Sequence, residues 1–397
     1  MLKNLLNKNY LIYGGSIVFS RGLEYAVLFF AAHHLSKYDY GELEYYKKVI
    51  EVVSSVFAFG FPALILSYTK SKESKNYFFL LGLLFVLFVG AITAIFFSLF
   101  NWLFLIVPFV FYAIFFTGGI AQSYFLVRQG STYASYYKII ISILFYGVIF
   151  ISIYYFDVTS YAYVYVNYFL FPLSFIHVGA LFYREKIVWQ KIKTYWRLFK
   201  KLLLSSFTLV ISNFANLTFL YTDIFVIKLL SENSNVDIAN YSFALNVANM
   251  LLLIPLTLVQ VDIEKLKIVP NYLIEINKKI LVLVLVASLF LFGFYLILVN
   301  NFFTDYSNTQ NVFIIILLAK IFHSLSTLYG TNLIILKKFK ENLYVNVAML
   351  LLNILLSYLL YFQFDLIGVA FASLCSLLIR YFLLIYLNKN IAKQKKS

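Results

Sequence analysis

NYFFLLGLLFVLFVGAITAIFFSLFNWLFLIVPFVFYAIFFTGGIAQSYFLV, Asn76 to Val127, runs for 52 residues without a single Asp, Glu, Lys or Arg. A helix rises ~1.5 Å per residue, so about 20 apolar residues cross a ~30 Å hydrocarbon layer. The stretch is long enough for two crossings, with the turn between them expected near Asn101. The whole chain of 397 residues agrees, being 62% hydrophobic and only 12% charged, with a mean hydropathy of +0.86. No soluble domain of this length needs so much apolar surface, so the bilayer is the solvent and the fold is an all-α polytopic membrane protein.

Working outward, twelve spans fit: 10–33, 43–69, 77–99, 102–127, 133–155, 161–183, 202–229, 240–262, 278–299, 311–335, 343–363 and 366–388. The connections alternate in charge. The N-tail, Lys70 to Lys75, Arg128, Arg184 to Lys201, Lys265 to Lys279, Lys337 to Lys340 and the C-tail hold 24 of the 32 Lys and Arg residues. The other connections carry Lys37, Asp39, Asp157, Glu232, Asp237, Asp305 and Asp365 and are acidic or neutral. By the positive-inside rule this places both termini in the cytoplasm, and the even span count requires both on one side. The net charge of +15 is thus an orientation signal rather than a nucleic-acid footprint. The leader MLKNLLNKN, Met1 to Asn9, precedes an apolar run broken by Arg21 and has no small-residue cleavage site. It is expected to open an uncleaved first span. Cys375 is the only cysteine, so no internal disulfide forms.

Faint internal repetition divides the chain. Leu35-Ser36 followed by Tyr45 is echoed by Leu230-Ser231 followed by Tyr241, and Phe156-Asp157 by Phe364-Asp365. The expected layout is a six-helix lobe over 1–183, a basic amphipathic linker over 184–201, a second six-helix lobe over 202–388 and a basic tail over 389–397. Six spans per lobe give both lobes the same insertion, so their pseudo-twofold axis is expected along the membrane normal. Spans three and nine, the most uniformly apolar, are expected to face lipid. The linker REKIVWQKIKTYWRLFKK sets apolar residues among seven cations. It reads either as a helix on an anionic leaflet or as a connector that fixes topology.

Ionisable groups at membrane depth are costly and mark substrate or ion paths. Arg21 and Lys320 each sit deep in an apolar run, and the excess of positive charge points to an anionic cargo. Arg21 and Glu24 are three apart and share a helix face. They read as a cavity cation with a proton- or Na⁺-exchanging carboxylate, or as a pair that locks span one. Lys47, Lys48 and Glu51 open span two and read as cavity groups or as side chains snorkelling to water. Lys138 and Arg380, each flanked by serines at helical spacing, line a cavity or reach the inner interface. In span seven Asn213, Asn216 and Asp223 form one polar stripe, and span eleven offers Asn346, Asn353 and Ser357. Carboxylate, amide and hydroxyl oxygens suit a hard cation, so a Na⁺ or proton site is expected near Asp223 with Asn353; interhelical hydrogen bonding is the plainer reading of the amides. Span ten carries Lys320, His323, Ser324, Thr327 and Thr331 on a hydrophilic face. Lys320 has no carboxylate three or four residues away, so its counter-charge comes from another helix or from substrate. The four histidines make no metal spacing, no phosphate loop is present, and no loop is long enough for a catalytic domain. Neither an enzyme nor a cofactor is expected.

LSKYDYGELEYYKKVIEVVSSVFAFGFPALI (Leu35 to Ile65), YTDIFVIKLLSENSNVDIANYSFALNV (Tyr221 to Val247) and NILLSYLLYFQFDLIGVAFASLCSLLIR (Asn353 to Arg380) resemble the joint of spans one and two, its second-half counterpart and the closing hairpin of one family. That family is the Wzx-type polysaccharide and O-antigen flippases of the multidrug/oligosaccharidyl-lipid/polysaccharide exporter superfamily. The resemblance implies a two-lobed alternating-access transporter of the bacterial inner membrane. Its implied cargo is an undecaprenyl-diphosphate-linked oligosaccharide, with membrane lipids and polysaccharide polymerase or glycosyltransferases as partners. By position, Arg21 and Lys47 or Lys48 resemble cavity cations of the related lipid II flippases, and Asp223 with Asn353 resembles part of a coupling-cation site. The family's second-half cavity cation lies in span eight, where this sequence has none; Lys320 is the substitute offered here. Two rival readings are a cation-coupled drug exporter of the same fold, which would favour carboxylates, and a membrane enzyme of polysaccharide assembly. A non-transporting scaffold would need no mid-membrane cations.

Overall fold

The computed structural model describes residues 8–69, 71–116, 118–185, 191–261, 266, 272–336 and 338–394. Lys70, residues 186–190, Lys265, Lys337 and the ends of both tails, which belong to the cationic connections above, lie outside the described residues. Helices account for every regular element among the described residues: α1 (Lys8–His34), α2 (Lys37–Phe57), α3 (Phe61–Tyr68), α4 (Lys72–Phe97), α5 (Ile106–Ile114), α6 (Ile120–Arg128), α7 (Ser131–Phe156), α8 (Ala162–Glu185), α9 (Ile192–Leu230), α10 (Ser234–Asn249), α11 (Leu253–Val261), α12 (Tyr272–Asn301), α13 (Gln310–Ile335) and α14 (Phe339–Gln394). Only helices keep all backbone groups bonded within one segment in hydrocarbon. Helix α14 is two antiparallel spans that meet at Asp365 (φ 48°, ψ −131°). Gly368 makes the bend passable, because a Cβ there would lie 2.1 Å from the Leu360 carbonyl oxygen.

Helices cover all twelve expected spans, three of them as broken helices, with span eight divided into α10 and α11 by a 3₁₀ turn at Met250–Leu252. Span two divides into α2 and α3 at Phe59 (φ 43°) and Gly60 (φ 70°), and Pro62 then enters the first turn of α3. Span four divides into α5 and α6 at 115–119. Its freed groups are met inside the protein: Tyr137 donates to the Phe115 carbonyl at 2.6 Å, and the Gly118 N–H reaches Gln122 Oε1 at 2.5 Å. The turn foreseen near Asn101 is a pair of 3₁₀ turns with Asn101 at φ 59°. Ser71 caps α4 by accepting from the Ser74 N–H.

The sequence echoes have conformational counterparts. Asp157 and Asp365 both take positive φ, at 50° and 48°. Ser36 and Ser231 both sit between helices, and each donates to a nearby aspartate at 2.6 Å, Asp39 and Asp237 respectively. The chain forms two compact units, Met1–Ala31 with Tyr46–Phe214, and Ala32–Tyr45 with Ala215–Ser397. The division therefore falls inside α1, α2 and α9 rather than in the connection 184–201. The first half of α2 belongs to the second unit because Gly41 lets α2 and α10 touch backbone to backbone; a Cβ on Gly41 would lie 1.7 Å from the Asn235 carbonyl oxygen. In that unit α13 packs on both arms of α14, on α10 and on α12. Helix α12 buries Ile276, Ile280, Val284, Leu291 and Tyr295 at helical spacing, while Val282, Val286, Leu289 and Phe290 are exposed. Span nine thus turns an apolar face outward, as hydrocarbon surroundings require. In span three that holds for the second half alone, since Asn76 to Leu83 are buried and Phe88, Ile92, Ile95 and Phe96 are exposed.

Candidate functional site

In the first unit α1 presents Ser16, Ser20, Arg21 and Glu24 along one helical face. Glu24 is clamped at both oxygens: Arg21 Nη1 donates to Oε2 at 2.6 Å, and Lys47 Nζ approaches Oε1 at 2.7 Å. Exposure separates the two cations. The Lys47 side chain is 2% exposed and that of Arg21 46%. Lys47 is enclosed by protein and does not snorkel to water; Lys48 beside it is also buried, and Glu51 is half-buried. Three cations therefore stand against two carboxylates at the junction of α1 and α2. Ser20 and Ser142 share a hydrogen bond of 2.6 Å that fixes α1 to α7, where Lys138 is half-buried. Both Glu24 oxygens are held by fixed cations, so the carboxylate serves as an internal counter-ion whose outer partner, Arg21, remains open.

In the second unit three helical segments meet at two levels. At one level Asp223 of α9 is buried, and Tyr241 of α10 donates to its Oδ2. Ser373 lies 2.7 and 2.8 Å from its two oxygens, and Asn353 Nδ2 is 3.4 Å from Oδ1. Seven residues away on each segment, Arg380 Nη2 donates to Asn216 Oδ1 at 2.8 Å and to Asn346 Oδ1 at 3.1 Å. No carboxylate lies within ion-pair distance of Arg380 among the described residues, and no cation within that distance of Asp223. Seven residues at ~1.5 Å each separate the levels by about 10 Å. At an effective dielectric of 20 two unit charges that far apart attract by about 1.6 kcal/mol. That falls short of the several kcal/mol lost when each ion leaves water. Each charge is stabilised locally, by hydroxyl and amide groups.

Lys320 of α13 is 6% exposed. With Asp223, Tyr241 and Ser373 it lines a cavity of ≈ 10 Å³. That is room for about one water or one small ion, far too little for a sugar or a headgroup. Among the described residues no three of His, Cys, Asp and Glu cluster as metal ligands, so any cation here would rest on one carboxylate with neutral oxygens. Within each unit the structure joins what the sequence left separate, Arg21 and Glu24 to Lys47, and Asp223 to Lys320; Asn353, expected beside Asp223, lies 3.4 Å from it. Sequence reasoning missed Tyr241 and Ser373 as Asp223 partners, and also Glu44, a fully buried carboxylate of α2 that takes hydrogen bonds from Asn246 (2.8 Å) and Tyr40 (3.4 Å). A tyrosine among 34 carries no signal by itself, and Glu44 lies among charges that read as a surface joint.

Twelve spans in broken and hairpin helices, with an ionic cluster in one unit and a charge ladder in the other, define a polytopic membrane protein whose fold is that of solved membrane transporters and a flippase. Three of the solved structures that share it illustrate the likeness. The lipid II flippase MurJ in an inward closed conformation superposes with a TM-score of 0.67 at 16% identity, over 96% of this chain and 87% of that one. A point mutant of the Vibrio cholerae MATE transporter VcmN gives 0.66 at 11% identity, over 98% and 96%. A transporter of the superfamily from Pyrococcus furiosus gives 0.51 at 12% identity, over 98% and 96%. No curated protein matches the chain. The family model for polysaccharide biosynthesis proteins matches residues 6–263, and the chain belongs to that family.

Proposed function

We propose that this protein is a flippase that carries an undecaprenyl-diphosphate-linked oligosaccharide of the O-antigen or capsule type across the bacterial inner membrane by alternating access, with both termini in the cytoplasm. The observation that carries the reading is Arg21: a guanidinium nearly half exposed, set in a membrane-spanning helix and backed by the buried Glu24–Lys47 pair. A diphosphate cannot enter hydrocarbon unaided. A fixed cation replaces its water while the polyprenyl tail stays in lipid. Lys48 and Lys138 extend this positive field in the first unit, Lys320 of the second unit stands in the pocket beside Asp223, and an interior-negative potential drives each negative charge outward by about 2.3 kcal/mol per 100 mV. Asp223 with Tyr241, Ser373 and Asn353 supplies a pocket of the size and oxygen chemistry of a proton or Na⁺ site, which gives the cycle a coupling ion. Glu24 and Glu51 act as counter-charges to the cargo cations. Polymerase or glycosyltransferases are the expected neighbours in the cell, and nucleic acid is not a partner.

The fold shared with multidrug transporters favours a second reading, export of a small organic cation. Against it stands the excess of positive over negative charge around Arg21. Reconstituted vesicles decide between them. With a fluorescent undecaprenyl-diphosphate oligosaccharide and an impermeant quencher, the wild type should move the lipid across the bilayer. Arg21→Ala and Lys320→Ala should each slow it at least tenfold at normal protein level. Transport of an organic cation with no movement of the lipid, or full rates in both variants, would reject the flippase.

A further inference from the structure

Arg380 differs from the other deep cations. It lies on the second arm of α14 and is 7% exposed. One nitrogen, Nη2, carries both of its protein hydrogen bonds, to the side-chain oxygens of Asn216 and Asn346. Its guanidinium carbon sits 5.3 Å from the centre of the Phe219 ring. Nε and Nη1 are buried and meet no hydrogen-bond partner, so three N–H donors face groups that accept nothing. On α13, which packs against α14, the Nδ1 of buried His323 is likewise unpartnered, as is the Oγ of buried Ser324. Buried donors that meet no protein acceptor are rare, and an ordered water or a bound ion is among the few physical reasons for them. The charge makes the case stronger, because a buried guanidinium without a carboxylate is a costly arrangement.

We propose that Arg380, anchored by Asn216 and Asn346, binds a small inorganic anion of halide size inside the second unit. This takes Arg380 out of the set of cargo-binding cations. A guanidinium enclosed to this degree offers no room to a sugar diphosphate, whereas a monatomic anion accepts N–H donors from any direction. The site also bears on Asp223, two helical turns away on the same three segments. A bare positive charge at Arg380 opposes a cation at Asp223, and a bound anion cancels that opposition. Occupancy of the two sites is therefore expected to be mutually favourable, and the effect is reciprocal.

The test is thermal unfolding of the purified full-length protein, with sodium gluconate replaced stepwise by sodium chloride or bromide at fixed ionic strength and pH. The folded-to-unfolded ratio should rise in proportion to halide once the dissociation constant is passed, by about a hundredfold at a hundred times that constant. Arg380→Gln should show no response to halide, and Asn216→Leu, which removes an anchor but keeps the charge, should need more halide for the same rise. If Arg380→Gln does not fold, the wild-type response and the Asn216→Leu shift still decide. Equal stability of the wild type in gluconate and halide overturns the proposal, and so does a halide response retained in Arg380→Gln. Two further arms, inorganic phosphate and phosphatidylglycerol against phosphatidylcholine nanodiscs, are run without halide. Protection by either, in place of halide, would assign the site to a phosphate and also overturn it.

Discussion

Replacing Glu24 with Gln separates the structural from the functional charge in the first unit. The carboxylate holds two cations of very different exposure, Lys47 at 2% and Arg21 at 46%. Arg21 loses little when its partner is removed, since a half-exposed pair contributes at most about 1 kcal/mol and the guanidinium can turn outward. Lys47 has no such exit. Breaking a buried pair by removing one member typically costs about 3–5 kcal/mol, because the remaining charge stays uncompensated. Glu24→Gln should therefore lower stability by up to that amount, the loss being limited by the other groups that Lys47 meets. Adding Lys47→Met should restore most of it, because replacing both charges with apolar groups of similar volume is often neutral or better. The assay is a double-mutant cycle by thermal or denaturant unfolding in detergent, with Glu24→Gln, Lys47→Met and the double variant. A coupling of about 2 kcal/mol or more is expected at adjacent buried sites. The reasoning fails if the double variant is no more stable than Glu24→Gln, or if Glu24→Gln is neutral. Translocation by the double variant should persist while Arg21 is intact, which sets the stabilising pair apart from the cargo contact.

Asp223→Asn keeps the shape of the Asp223 side chain but removes its charge and turns one acceptor oxygen into a donor nitrogen, so transport should lose its dependence on Na⁺ or on the proton gradient; unchanged ion dependence would remove Asp223 from coupling. Gly41→Ala places a methyl 1.7 Å from the Asn235 carbonyl oxygen, which forces α2 off α10 and should cost at least the 1–3 kcal/mol typical of overpacking. Its measure is the unfolding midpoint of the purified variant, and a midpoint equal to wild type would contradict the close approach.

Helices and their boundaries were legible because hydrocarbon imposes length and polarity together, and few sequences meet both by accident. The pair Arg21–Glu24 was legible for the same kind of reason, since three residues on a helix is a contact distance known in advance. Lys47 could not be assigned to it, because a contact between α1 and α2 depends on crossing angle and depth, which spacing does not encode. The breaks at Gly60 and at 115–119 went unread: within an apolar run the glycines gave no sign of which backbone groups other helices would satisfy, as Tyr137 does for Phe115. The polar stripe on α9 gave away Asp223, whereas Tyr241 and Ser373 looked like ordinary interface residues until the fold carried them to it. The serine–aspartate joints at Ser36 and Ser231 and the positive-φ aspartates at Asp157 and Asp365 show that the two halves preserve hinge chemistry more faithfully than they preserve sequence.

The interval of seven residues between Asn216 and Asp223, Asn346 and Asn353, and Ser373 and Arg380 acts as a phase lock. Each added or deleted residue between rungs would turn one against the other by about 100° on that helix, swinging a charge out of its amide or hydroxyl seat into hydrocarbon. Apolar positions between the rungs are free to exchange one aliphatic side chain for another, but the count of residues there is not free to drift.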